Sequence, residues 1–389
     1  MDEVHSQPGL SLGWKKTVLF SLLPVLLLLM GLETAARVAE IWWPPRVVDV
    51  GQGFTKESHL FVPSPENPDK MMTNPSRTVS FHPQEFERKK PQGTMRIFAL
   101  GGSSVNYLDY EFPLLAERLQ RALSGRFTRV EIINCGGLSY GSHRLVLIAG
   151  EVLGYEPDAL IFYEGHNEFE EVEQLDLANL RALPLQRALV HVAMYRFVRD
   201  RIAGLRIARL EAEHNRRLLA TTIPDTSKSW GHPFTPEEVR QRMEAFRQNL
   251  SSIVEMCQSR KVQVVLGTVP SNLVKPNLPG EDGKRYEQVV ALFAKGAYEE
   301  GTRLGRDILK HASPRHQSSD VENGIIREVA AQYKVPLADV EEAVLAAEPH
   351  HVPGETLFND HCHLNPEGNK ILSAQYEQRL REAFGLPPR

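Results

Sequence analysis

Residues 94–104 read Thr-Met-Arg-Ile-Phe-Ala-Leu-Gly-Gly-Ser-Ser. The run Met95 to Leu100 is short and apolar, and it stops at glycines. A run of this length bounded by turn residues is the pattern of a buried strand. The glycines allow a tight turn with close backbone approach, and Ser103 follows at once. The unit recurs along the chain. Val130 to Asn134 reads as a second strand, ending at Cys135-Gly136-Gly137, and Ala159 to Tyr163 as a third, ending near Gly165-His166-Asn167. Val262 to Val269 and Val335 to Val340 read as a fourth and a fifth. Amphipathic helices are expected over Phe112 to Leu123, His143 to Leu153, Pro236 to Cys257, Glu322 to Tyr333 and Pro366 to Phe384. Pro366 suits a first helical turn. Alternation of this kind predicts an α/β fold, a parallel sheet with helices on both faces. In such sheets sites collect beyond the C-terminal ends of the strands, where Ser103, Gly136 and Asn167 fall.

Four segments carry the chemistry: Gly101-Gly102-Ser103-Ser104, Asn134-Cys135-Gly136-Gly137, Gly165-His166-Asn167 and Asp360-His361-Cys362-His363. Attack by a hydroxyl needs a nucleophile, a base, a group that orients the base, and donors for the oxyanion. Ser103 is the candidate nucleophile and His363 the candidate base. Asp360, three residues before His363, is placed to fix the imidazole tautomer and stabilise the imidazolium. The N–H groups of Ser103 and Gly136 and the amide of Asn167 are the candidate oxyanion donors. Each residue has a plainer reading alone. Ser103 and Gly136 suit turns, and Asn167 suits the cap of a helix starting at Glu168. His361 competes with His363 for the base. His350, His351, Asp360, His361 and His363 also admit a metal-cluster reading, although no helix-spaced ligand pair stands out.

The four segments, in this order, resemble the sequence blocks of the SGNH hydrolases, also called GDSL-type lipases and esterases. The resemblance runs from about Thr94 to Phe384. It implies a flavodoxin-like three-layer αβα fold and a serine ester hydrolase that requires no cofactor and no metal. It assigns Ser103, Asp360 and His363 to catalysis, and Ser103, Gly136 and Asn167 to the oxyanion hole. The family's usual Asp before the serine is Gly102 here. Gly-Gly-Ser is found among membrane-anchored bacterial members. The implied substrate is an ester-bearing small molecule, glycan or lipid. Acyl transfer to a glycan hydroxyl would use the same residues. An inactive domain for envelope binding or assembly is the alternative from another class.

The N-terminus is the compositional outlier. Lys15 and Lys16 precede an apolar run from Thr17 to Leu32. The run is shorter than the roughly 20 residues of a spanning helix. Thr34-Ala35-Ala36 and Val38-Ala39 extend it, and Trp42-Trp43 fits an interfacial belt. We read 17–43 as an uncleaved anchor, with a signal peptide cleaved after Thr34-Ala35-Ala36 as the alternative. The lysines predict residues 1–16 in the cytoplasm and the rest outside the cytoplasmic (inner) membrane, facing the periplasm or exterior. The net charge of −4 gives no reason to propose nucleic-acid binding. Three cysteines do not make a disulfide scaffold.

Residues 44–93 read as an extended spacer rich in Pro, Ser and Asn, and 94–389 as the hydrolase domain. About 190 residues separate Asn167 from Asp360, too many for a strand-helix repeat. Two helical insertions are therefore expected, at about 169–231 and 281–315. The first reads either as a solvated helical hairpin or as a lid or membrane-surface contact, the second as extra cover for the core.

Overall fold

The structure is a computed structural model that describes residues 13–42, 59–78, 80–123, 125–170, 189, 192–198, 201, 234–278, 280–312 and 315–386. Eight strands are formed among them: β1 (Phe61–Pro63), β2 (Lys70–Thr73), β3 (Glu85–Glu87), β4 (Thr94–Gly101), β5 (Arg129–Gly136), β6 (Ala159–Tyr163), β7 (Gln263–Gly267) and β8 (Leu337–Ala338). The last five make one parallel sheet in the order β5-β4-β6-β7-β8. Chain order reverses at β4, so the crevice beyond the ends of β4, β5 and β6 is the topological switch point of the sheet. This is the expected α/β architecture with flavodoxin-like strand order.

Burial explains why β4 is central. All eight of its residues are buried, and Ile97, Phe98, Ala99 and Leu100 are wholly inaccessible. Each large apolar side chain so buried contributes about 1.5–3 kcal/mol. Arg96 is the exception in type, a guanidinium inside a buried strand. It is paired with Glu131 (2.6 Å) and donates to the carbonyls of Tyr155 (2.8 Å) and Glu87 (2.7 Å). A buried charge with that many partners is tolerated; one without them would not be.

The segment expected to be an extended spacer is partly folded. β1, β2 and β3 form an antiparallel sheet. Phe61 and Phe86 meet edge-on at 4.9 Å, and Phe86 meets Phe98 of β4 at 5.6 Å. Gln84 donates to Asn134 O and accepts from Asn134 N, which covers the edge of β5. Exposed strand edges invite misassembly, and this pairing removes one.

The sequence starts and stops of the helices have visible causes. Thr235 and Glu238 form a capping box ahead of the Pro236–Ser259 helix. Asn365 accepts from the N–H groups of Glu367 and Gly368 at the head of the Pro366–Ala383 helix. The second expected insertion is a helical pair, Gly280–Ala294 and Tyr298–His311, with Tyr286, Val289 and Ile308 buried between them.

The chain divides into two compact units, 1–50 with 179–221, and 51–178 with 222–389. In the first, a single helix runs from Trp14 to Trp42 without a break at Thr34-Ala35-Ala36. Glu33 of that helix accepts from the N–H groups of Ala193 (2.9 Å) and Met194 (3.0 Å), and Glu40 pairs with Arg196. Apart from those few residues, the expected insertion at 169–231 lies outside the described residues, as does most of 1–16.

Candidate active site

β4 ends at Gly101, Gly102 turns the chain, and Ser103 opens the short helix Ser103–Asn106. Glycine is required at the turn. A Cβ on Gly102 would lie 2.1 Å from Asn167 Nδ2 and 2.4 Å from Glu164 Oε2. Asn134, on β5, anchors the serine helix: its Nδ2 donates to the carbonyls of Val105 (3.1 Å) and Asn106 (3.0 Å). The candidate nucleophile therefore rests on a helix tied to the neighbouring strand.

The candidate base comes from the far end of the chain. Phe358 and Leu364 form an antiparallel bridge, and Asn359 N donates to His363 O (2.8 Å), closing a loop that presents Asp360 and His363. Asn272, beyond β7, holds that loop from outside. Its Nδ2 donates to Asp360 O (2.8 Å) and its N–H to His361 O (3.0 Å).

The two parts meet. Ser103 Oγ is 2.7 Å from His363 Nε2, and His363 Nδ1 is 2.7 Å from Asp360 Oδ2. Asp360 Oδ1 accepts from the N–H groups of Cys362 (2.9 Å) and His363 (2.8 Å). Partial burial pushes the Asp360 carboxyl up. The bonds from the His363 ring and the Cys362 and His363 N–H groups outweigh that, and hold it well below the usual carboxylate range. Asp360 is thus ionised at neutral pH, as a group that stabilises an imidazolium must be. This assigns Nδ1 as the protonated nitrogen and leaves Nε2 to accept from Ser103.

The oxyanion donors divide. Ser103 N–H has no acceptor among the described residues. Asn167 Nδ2 lies over Gly102, oriented by Tyr140 O (3.1 Å) and Glu164 Oε2 (3.3 Å). It makes no cap for the helix starting at Glu168 among the described residues. Gly136 is a correction. Its N–H donates to Asn134 Oδ1 (2.9 Å), because that side chain folds back from two residues upstream. What Gly136 contributes is space, since a Cβ there would lie 2.1 Å from Asn106 N.

Sequence reasoning missed Glu164. Its buried carboxylate accepts from both Asn167 N (2.8 Å) and Asn167 Nδ2, so one side chain sets the backbone and the amide together. It occupies the space beside Gly102 that a side chain before the serine would need. A glycine before the serine with an acid just ahead of Gly165-His166-Asn167 was the available signal. His166 carries no role that its sequence position signals. Its Nδ1 accepts from Ser318 N (3.1 Å), and burial, then the charges of His363 and His361, push it down to about 3.

The other histidines do not join a metal cluster with the site. His350 stacks on Tyr298 and bonds Glu355, and His351 Nδ1 meets Leu345 O. The one group of ligand atoms close enough for a metal among the described residues is Asp360, Cys362 and His363. In it Asp360 and His363 are bonded to each other, and burial keeps the Cys362 thiol protonated. His361 packs beside His363 and is not the nitrogen that meets Ser103.

No family model matches the chain, and no curated protein matches it. In structure it is similar to a GDSL-like lipase from Bacteroides thetaiotaomicron (13% identity, 74% of this chain and 88% of that one, TM-score 0.38). It is also similar to a GDSL-like lipase from Parabacteroides merdae described as putative (13%, 77% and 99%, TM-score 0.42). A third similar structure is the acetylxylan esterase Axe2 from Geobacillus stearothermophilus (12%, 77% and 97%, TM-score 0.39).

Proposed function

We propose that this chain is a serine ester hydrolase of the SGNH type, anchored in the cytoplasmic membrane with its catalytic unit outside. One observation carries the reading: an unbroken hydrogen-bonded relay from Ser103 Oγ through His363 to an ionised Asp360. Ser103 Oγ attacks the ester carbonyl carbon as His363 Nε2 takes its proton. Ser103 N–H stabilises the oxyanion, joined by the Asn167 amide once its Nδ2 exchanges its longer bond, to Glu164 Oε2, for the oxyanion; removing one such donor typically costs about 10²–10³-fold. The tetrahedral adduct collapses, the C–O bond to the alcohol breaks, and the alkoxide leaves with the proton from His363. Water then attacks acyl-Ser103, with His363 again as base, releasing the acid and restoring the serine.

The helix supports the anchor. Phe20–Trp42 is long and apolar enough to cross a membrane, and its side chains from Phe20 to Met30 are largely exposed. An exposed apolar surface of that kind needs a cover, which lipid supplies. Continuity of the helix through Thr34-Ala35-Ala36, with Glu33 and Glu40 bound on the same helix, favours retention over cleavage.

The test is hydrolysis of short acyl esters by the full chain in detergent, with Ser103→Ala and His363→Ala alongside. We expect turnover in the wild type and a loss of at least about 10⁴-fold in each variant. Equal activity in wild type and Ser103→Ala would sink the reading. Fractionation with washed inner membranes tests the anchor separately.

A further inference from the structure

Glu33 of the Trp14–Trp42 helix accepts from Ala193 N (2.9 Å) and Met194 N (3.0 Å), which open the helical stretch 193–198. Resting on the anchor reading above, we propose that this stretch is a second membrane element. Its start, at Val192 to Met194, enters the outer edge of the hydrocarbon layer beside the anchor, is held there by Glu33, and meets lipid.

Helix geometry sets the depth. Lys16 is exposed at the cytoplasmic end of the anchor. From Lys16 to Glu33 the helix climbs about 26 Å, at about 1.5 Å per residue. The hydrocarbon layer is about 30 Å thick. With Lys16 at its inner boundary, Glu33 lies about 4 Å below the outer one, and any tilt sets it deeper. Glu40 stands about 10 Å farther along the helix, among the headgroups with Trp42. Hydrogen bonds carry these depths across to the second stretch. Ala193 and Met194 are level with Glu33, and Arg196, paired with Glu40 (2.7 Å), is level with the headgroups.

The chemistry at the deeper level is complete. A carboxylate close to hydrocarbon needs partners, and so do the N–H groups that open a helix, which no preceding turn serves. Glu33 and the two N–H groups answer each other, and Arg37 donates to the same carboxylate (2.9 Å). In water, solvent would serve both.

Burial follows the same line. Among the described side chains of the anchor helix, only Glu33, Ala36, Ala39 and Glu40 are not exposed, and they form one stripe at helical spacing. Ala36 is buried, as is Ala193, and small residues let helical segments approach closely in lipid. The side chains left outside at the two ends of the second stretch are apolar: Val192 is 38% exposed and Val198 47%. Lipid covers such groups beside a lipid-facing helix; water does not.

The test reads depth in the full-length protein in phosphatidylcholine–phosphatidylglycerol vesicles. Leu26→Cys, Val192→Cys, Val198→Cys and Val290→Cys each carry one nitroxide, while the native cysteines are buried and take none. Collision with oxygen reports lipid, and collision with a nickel chelate reports water. Leu26 supplies the lipid reference, and Val290, exposed on the catalytic unit, the water reference. The oxygen-to-nickel collision ratio at Val192 should exceed that at Val290 by at least about fivefold, with Val198 between them. A Val192 ratio equal to that of Val290, with Leu26 in lipid, would overturn the proposal and leave the anchor standing. A water-like ratio at Leu26 would bring down the anchor reading, and the proposal with it. Glu33→Ala, added to Val192→Cys, should return the Val192 ratio toward the water reference while Leu26 stays in lipid. An unchanged ratio at Val192 would overturn Glu33 as the group that holds the stretch.

Discussion

Ser103, Gly136 and Asn167 stand at the ends of three buried strands, whereas Asp360 and His363 stand on a loop closed by one bridge, Phe358 to Leu364. The strand ends are fixed by packing. Neither Gly102 nor Gly136 has room for a Cβ, which would lie 2.1 Å from a nitrogen of another residue at each position. The loop is fixed by a handful of polar bonds: Asn359 N to His363 O, Asn272 to Asp360 O and His361 O, and the Asp360 carboxylate to two N–H groups. The proposed nucleophile and oxyanion site are thus built with the sheet, and the proposed base is added to them by local hydrogen bonding. Changes at the strand ends should cost stability and activity together. Changes in the loop should cost activity with little loss of stability.

The largest expected effect lies on the loop side. Asp360→Asn keeps the shape but favours the wrong imidazole tautomer, and a loss in kcat of about 10⁴-fold is expected, the order seen when such a triad loses its carboxylate. The melting temperature should fall only modestly: the contacts that hold the carboxyl down also stabilise the fold at neutral pH, but the side chain is close to half exposed (45%) and solvent screens them. A large stability loss would blur the division between the two regions.

Glu164→Gln probes the strand side. It puts an amide against Asn167 Nδ2 and releases a buried partner, so both readouts should fall. We expect kcat down about 10²-fold and stability lower by about 1–3 kcal/mol, measured by denaturant unfolding. A rise in kcat would mean that Glu164 opposes the oxyanion instead of orienting its donor.

Asn272→Ala removes the clamp on the loop while leaving all three triad residues in place. A loss in kcat of about tenfold is expected from looser positioning, with the rate of fluorophosphonate labelling falling in parallel. An unchanged rate would show that the bridge alone holds the loop.

The smallest effect is the pH dependence of stability near the site. Burial holds His166 at about 3 and His316 at about 4, against 6.5 for an unperturbed histidine. Between those values the unfolded chain binds protons that the folded one refuses. Stability from these groups is therefore complete above about pH 6.5 and is lost as the pH falls toward 4 and then 3. The melting temperature should drop over that window, and His166→Asn should flatten the drop. A flat profile in the wild type would contradict the burial of both rings.

These differences track what was legible in the sequence. Ile97 to Leu100 and Ala159 to Tyr163 announce buried strands because a parallel sheet covered on both faces needs unbroken apolar runs. The spacing of Asp360 and His363 was enough to place them on one loop. β1 to β3 were hidden because each is only three or four residues long among prolines and polar residues, so no alternation builds up. The commitment of Gly136 N–H to Asn134, and of Glu164 to Asn167, depends on which way a side chain folds back in a packed crevice. Composition and spacing do not encode that direction.

The most direct test of the account is to treat the full-length protein with a fluorophosphonate and map the adduct by peptide mass spectrometry. We predict one adduct per chain, on Ser103, absent in Ser103→Ala and formed far more slowly in His363→Ala. A folded wild type that takes no label, or takes it on another residue, would contradict the claim that sheet and loop together make an activated serine.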